Sequence, residues 1–126
     1  TGRSTRGHAA TPNRPETIEE TAEMVTTCGG TGLAVRVDHT VEEQVSNLFA
    51  QVEREQGRLD ILVNDIWGGD ALTEWGKPFW ELTVDNWRVM QERAVLSHII
   101  TARHGAPMMV RSMFRSAAMR RISISC

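Results

Sequence analysis

The chain has 126 residues, the size of one ordinary domain. Its 40% hydrophobic and 24% charged residues are typical of soluble globular proteins, and a net charge of -2 provides no broad basic surface for nucleic acid or anionic membrane. The two cysteines, Cys28 and Cys126, lie far apart and suggest neither a disulfide framework nor a CxxC site, so a reduced, cytoplasmic setting is predicted.

The first third of the chain predicts a loop, a helix and a short strand. Residues 1–15 are rich in Gly, Ser, Thr, Pro and Arg, which is typical of a loop. The stretch "ETIEETAEMVTTCGG" (16–30) predicts a helix with acidic residues in its first turn, stopped by Gly29-Gly30. The stretch "GLAVRVD" (32–38) contains β-branched residues and predicts a short strand.

A second helix is predicted to begin at Thr40 and to end at Gly57. The "TVEE" motif has the form of a capping box, in which the Thr40 hydroxyl accepts a hydrogen bond from the backbone N–H of Glu43. Apolar residues follow at helical spacing: Val41, Val45, Leu48, Phe49 and Val52.

The stretch "RLDILVNDIWGGD" (58–70) reads as an apolar strand that ends abruptly in Asn64, Asp65, an indole and two glycines. After a loop, the chain from residue 79 to 114 is predicted to be mostly helix, re-entered after Thr83.

In this long helix Pro107 is expected to bend or break the backbone. The stretch "RRISIS" (120–125) alternates and predicts a last strand. Helices that alternate with strands predict an open α/β sheet of parallel strands, in which ligands bind outside the carboxyl ends of the strands.

Several of these strand and helix ends resemble the short-chain dehydrogenase/reductase family. The matching stretches, in chain order, are "TGRS" (1–4), "VRVDHT" (35–40), "LDILVNDIWGG" (59–69), "LTVDNWRVMQERAV" (82–95) and "RRISIS" (120–125). The resemblance implies a Rossmann-type open parallel sheet with flanking helices. It covers the chain from the end of the family's second strand to its fifth, so residues 1–126 would form a single, partial dinucleotide-binding domain.

The resemblance also implies a cofactor site. Arg3, with Ser4 beside it, would meet the 2′-phosphate of NADP, and Arg6 could assist; an NAD-preferring member would carry an acid there. Asp38 would bind the adenine amino group, a role compatible with capping the next helix. Asn64 would line the adenosine pocket.

The match to the family's catalytic residues is less complete than the match to its cofactor site. Ser125 is the nearest match to the family's catalytic Ser, with Ser123 less favoured and Cys126 an equal alternative at that position. Ala94 stands where many members have a tetrad Asn, and Asp65-Ile66-Trp67 depart from the usual Asn-Ala-Gly.

The family's Gly-rich phosphate loop has no match in the chain. Its Tyr-x-x-x-Lys pair has none either, since the chain has no Tyr and its only Lys is Lys77. We therefore expect part of an NADP-preferring oxidoreductase that reduces carbonyls or oxidises alcohols, with no turnover by the isolated chain. The alternative is a non-catalytic, Rossmann-like module that binds a nucleotide or a partner. A receiver-type signalling domain fits poorly, because Lys77 lies in a loop between the last two predicted strands.

Two further features carry open interpretations. Trp67 and Trp75, in predicted loops, form either an apolar substrate wall or simple loop packing. The helix over 84–114 is expected to pack on the sheet through Val89, Met90, Val95, Ile99 and Ile100, and the resemblance implies that it also pairs copies of the chain. The spacing of the four histidines does not favour a metal site.

Overall fold

A computed structural model describes the backbone of residues 1–10 and 15–122, with side chains through residue 114. The described elements are α1 (Ile18–Thr27), α2 (Glu42–Gln56), α3 (Val84–Met90), a π-helical segment (Gln91–Leu96) and α4 (Ser97–Ile122). Single 3₁₀ turns occur at Asp70–Leu72 and Phe79–Glu81. None of the described helices is both long enough and apolar enough to cross a membrane.

The capping box of this protein lies at α1 and not at α2. Thr17 accepts from the N–H of Glu20, whose carboxylate accepts from the N–H of Thr17. The prediction of a box at Thr40 is wrong: α2 begins at Glu42 without a side-chain cap. The Thr40 hydroxyl instead donates to Asp38 Oδ1 over 2.7 Å, and the Thr40 N–H donates to the same oxygen, so Thr40 belongs to an Asx-turn before the helix.

The apolar face of α2 forms the core, as its helical spacing predicts. Gly57 ends this helix with φ 70°, the left-handed conformation that glycine adopts without strain. The buried apolar side chains are Val37, Val45, Leu48, Phe49 and Met108.

The helix α4 packs on this core through a largely polar stripe. Ser97, Thr101 and Ser112 are buried, and Met108 lies on the same face of the helix. Val95 and Ile99 are 47% and 58% exposed, so the predicted packing face is wrong at those two positions. Hydrophobic periodicity misses this stripe because most of its members are small and polar.

At Gly105 the helix α4 comes close to Phe49 of α2 and to Leu62. A Cβ at this position would lie 3.0 Å from ring carbons of Phe49 and 2.8 Å from Leu62 Cδ2. Glycine normally weakens a helix interior, so its presence here reflects the space that the Phe49 ring occupies.

The C-terminal part differs from its prediction in two places. Pro107 lies inside α4 and does not break it, while the expected bend stays a prediction. The helix continues through Ile122, so the strand predicted over 120–125 is wrong for residues 120–122; residues 123–125 lie outside the described chain. The sequence from 108 to 122 contains Ala, Met and Arg and neither glycine nor proline, so nothing in it stops a helix.

Regular strands do not form among the described residues. One parallel bridge joins Gly2 and Arg36, with the N–H of Val37 donating to Gly2 O over 3.0 Å. Residues 59–69 follow an irregular path, and Ile61 and Val63 are 76% and 82% exposed. A strand needs a hydrogen-bonded neighbour to satisfy its backbone N–H and C=O groups. None of the described bridges involves residues 59–69, so the complete parallel sheet stays a prediction.

A buried histidine ties the N-terminal segment to α4. His39 Nε2 lies 3.0 Å from Thr1 Oγ1, and His39 Nδ1 lies 2.9 Å from Thr101 Oγ1. Burial lowers the pKa of His39, and the neighbouring Asp38 carboxylate offsets this only in part. The neutral imidazole is therefore the form that the folded chain prefers.

Substituting Gly105→Ala is expected to lower the free energy of unfolding by about 1–3 kcal/mol through overpacking, although Ala is the better helix former. Denaturant unfolding would measure the change. Val110→Ala, at a 49% exposed position of the same helix, is the control and should stay within about 0.5 kcal/mol of wild type. A Gly105→Ala variant as stable as the wild type would contradict the close approach.

The His39 bridge predicts acid sensitivity. Because the folded-state pKa lies below the unfolded value, the stabilisation is present above about pH 6.5 and is lost as the pH falls towards the folded pKa. The free energy of unfolding should therefore fall between pH 7 and pH 5 in wild type, and this fall should shrink in His39→Gln. His8→Gln, at an exposed histidine, should keep the full decline. An unchanged decline in His39→Gln would refute the account.

Candidate functional site

A cavity of about 670 Å³ lies between the segment that begins the chain and the segment that follows α2. Its floor is apolar and is formed largely by Val37, Leu48, Phe49, Val52, Leu59 and Leu62. Arg3, Asp38 and Asn64 line the same cavity, so the structure brings together three of the four predicted cofactor-binding residues, which come from three separate segment ends.

Asp38 is held as an ionised carboxylate. Burial by itself raises its pKa, but hydrogen bonds from the Thr40 hydroxyl and N–H and the charge of Arg3 outweigh burial, so the pKa lies below its ordinary value. Gln44 Oε1 accepts from the backbone N–H of Asp38 over 2.8 Å. Asp38 thus organises the turn before α2 while it borders the cavity.

The two N-terminal arginines point to different partners. Arg3 Nη1 lies 3.8 Å from Asp38 Oδ2, with about a third of each side chain exposed. Among the described residues, that long contact leaves most of the donors of the Arg3 guanidinium for a ligand. Arg6 instead donates to Glu23 of α1, so it does not join Arg3 at the cavity.

Asn64 is fixed by a reciprocal contact with His98 of α4. Asn64 Nδ2 donates to His98 O over 3.1 Å, and His98 Nε2 lies 3.0 Å from Asn64 O and 3.2 Å from the N of Ile66. Among the described residues, the buried Asn64 Oδ1 has no hydrogen-bond partner. A buried acceptor without a donor is costly, and a bound hydroxyl or amino group would satisfy it.

Sequence reasoning missed His98 and Arg93 at this site. Arg93 Nη1 donates to Gly68 O over 2.9 Å, and His98 Nδ1 contacts Ala94 O. Arg93 lies in the π-helical segment and His98 in the first turn of α4. Short π-helical segments are frequent at functional sites. The neighbouring "ERAVLSH" reads as ordinary helix, so no local sequence signal marks it.

The remaining predicted site residues lie elsewhere. Ser4 borders a smaller, adjoining cavity, and its hydroxyl accepts from the N–H of Ala10 over 3.1 Å. Ser125, like Ser123 and Cys126, lies outside the described residues. Within the described chain, no group of three or more His, Cys, Asp or Glu side chains is arranged to hold a metal ion.

The residues present fit the adenosine end of a dinucleotide. A guanidinium, an ionised carboxylate and the Asn64 side chain, whose buried Oδ1 has no partner among the described residues, border one cavity with an apolar floor. Such a set can pair with a phosphate, accept from an amino group and accept from a sugar hydroxyl.

Known proteins of one family match this chain. A family model described as enoyl-(acyl carrier protein) reductase matches residues 8–123. Dehydrogenase/reductase SDR family member 1 of Mus musculus is 36% identical over 98 residues, which are 75% of this chain and 31% of that protein. The chain therefore spans about a third of the length of that relative.

Solved structures show the same likeness. A 7α-hydroxysteroid dehydrogenase in complex with NADH and 7-oxo glycochenodeoxycholic acid is 29% identical, with a TM-score of 0.59 over 73% of this chain and 34% of that one. A hydroxysteroid dehydrogenase from Escherichia coli is 30% identical, with a TM-score of 0.59 over 72% of this chain and 36% of that one. These neighbours share the Rossmann fold. The chain belongs to the short-chain dehydrogenase/reductase family.

Proposed function

We propose that this chain supplies the adenosine-binding part of an NADP-preferring short-chain oxidoreductase, which reduces carbonyls or oxidises alcohols of small molecules. The observation that carries the proposal is the convergence of Arg3, Asp38 and Asn64 on one cavity. When bound, the cofactor supplies the hydride. The residues of this chain bind and orient its adenosine end.

Each residue has a distinct task in this proposal. Arg3 pairs with the 2′-phosphate, since a guanidinium forks onto phosphate oxygens. The Asp38 carboxylate accepts from the adenine amino group. The buried Asn64 Oδ1 accepts a hydrogen bond from the adenosine moiety, which would remove its unsatisfied state.

We further propose that the 126-residue chain binds cofactor without turnover. It contains no Tyr, so the proton donor of the family is absent from this polypeptide. A non-catalytic binding module is the second candidate, favoured by Ala94 and by the altered "NDIWGG" stretch. Cofactor-dependent oxidation or reduction by the pure chain above background would contradict the absence of turnover.

Two wider features complete the proposal. The partly exposed Val95 and Ile99 on the long helix would pair with a second copy of the chain. Cys28 is an exposed free thiol, in keeping with a reduced, cytoplasmic setting.

The role of Arg3 predicts a selective loss of affinity for a 2′-phosphate. Arg3→Gln should weaken binding of adenosine 2′,5′-bisphosphate by about tenfold or more, because a hydrogen bond to a charged group contributes about 1.5–3 kcal/mol. Binding of adenosine 5′-monophosphate should change little. Isothermal titration calorimetry would measure both ligands.

Arg6→Gln is the matched control, because Arg6 pairs with Glu23 and should leave both affinities unchanged. Equal loss of both ligands in Arg3→Gln would show that Arg3 does not read the 2′-phosphate. Equal loss in Arg6→Gln would show a general charge effect.

A further inference from the structure

A second cavity, of about 490 Å³, lies between the loop that follows Asn64 and the helix α3. Its apolar walls come from three indoles and three aliphatic or thioether side chains: Trp67, Trp75, Trp87, Leu72, Leu82 and Met90. From the sequence alone, the loop tryptophans form either a substrate wall or simple loop packing. Trp67 and Trp87 remain 49% and 41% exposed and Trp75 89% exposed, so the indoles are only partly used in packing.

Local contacts fix the walls of this indole cavity in place. Glu74 accepts from Lys77 Nζ over 2.6 Å and from the N–H of Thr83 over 3.3 Å. Trp67 Nε1 donates to Asp70 Oδ1 over 3.0 Å. The cavity is therefore formed before any ligand arrives, which reduces the entropic cost of binding.

Gly69 allows Trp67 to fold back over the loop. A Cβ at Gly69 would lie 2.5 Å from Trp67 Cζ2, a distance at which the ring would have to move. Trp67 also lines the larger cavity that Arg3 and Asn64 border, so one indole contributes to both cavities.

The charge around the cavity selects the kind of ligand. Among the described residues that line it, the charged side chains are the carboxylates Asp70 and Glu74. Glu74 is ionised, because the hydrogen bond from Lys77, followed by that from the Thr83 N–H, lowers its pKa, and the Lys77 ammonium balances its charge. The faces of the indoles are also electron-rich, which favours cations and disfavours anions.

We propose that the indole cavity binds a small organic cation with an aromatic or alkyl body, such as an arylalkylammonium ion. The apolar body packs among the indoles, and the ammonium group lies at the rim near Asp70. This site does not depend on the cofactor proposal, since it can be tested with the cofactor absent.

A matched pair of probes tests the charge requirement. 2-Phenylethylammonium and 2-phenylethanol have nearly the same shape and differ in charge. The cation should bind several-fold more tightly, because a cation–π contact at an exposed site contributes about 0.5–1 kcal/mol and the carboxylate adds to it. Nuclear magnetic resonance of the indole N–H groups would show shifts at Trp67, Trp75 and Trp87 but little change at Trp80, which does not line the cavity.

Single substitutions at exposed positions locate the site. Asp70→Asn should weaken binding of the cation by about threefold or more, in line with one lost ion contact, and leave the alcohol unchanged. Asp85→Asn is the control, because Asp85 is an exposed carboxylate outside the cavity. Trp75→Ala should weaken binding of both probes, whereas Trp80→Ala should weaken neither.

Equal binding of the two probes, or no binding of the cation, would overturn the proposal. So would an equal effect of Asp70→Asn and Asp85→Asn, which would reduce the charge effect to a general field. If Arg3→Gln loses recognition of the 2′-phosphate but binds the cation as the wild type does, the indole cavity and the proposed cofactor site act independently.

Discussion

The fold depends on one face of α4, which carries polar groups to the ends of three neighbouring segments. His98 contacts Asn64, Thr101 contacts His39, and Ser112 Oγ accepts from the N–H of Leu59. The residues lie along one helical stripe, with Gly105 in its middle, where α2 approaches closely. Hydrogen bonds from α4 therefore act together with the apolar contacts of Val37, Leu59 and Leu62 to position the segment ends that border the larger cavity.

Small residues after Asn64 make room for large side chains from elsewhere. Gly69 leaves space for the Trp67 ring, and Gly68 lies against the Arg93 side chain, whose Cδ would be 3.2 Å from an added Cβ. The two glycines therefore allow an indole and a guanidinium to approach the backbone. Trp67 in this arrangement borders both cavities, so the same loop shapes the proposed cofactor site and the proposed cation site.

The sequence predicted those parts of the structure that follow from local chemistry. The extent of α2, its apolar face and its stop at Gly57 depend on helical spacing and on a left-handed glycine. The joint position of Arg3, Asp38 and Asn64 followed from a resemblance at segment ends. His98 and Thr101 could not be predicted, since a polar residue on a helix gives no sign of burial until its partner is known. The strand predicted over 120–125 is wrong for residues 120–122, because alternation over six residues is a weak signal beside a helix already under way.

The central claim is that the larger cavity receives the adenosine end of a dinucleotide. Titrating isotope-labelled chain with NADPH, observed by two-dimensional nuclear magnetic resonance, tests it most directly. The account predicts saturable shifts of the Asp38 backbone N–H and of the Asn64 side-chain amide, with little change at Lys77, which does not line this cavity. Shifts confined to the indole cavity, or no saturable shift at all, would contradict it.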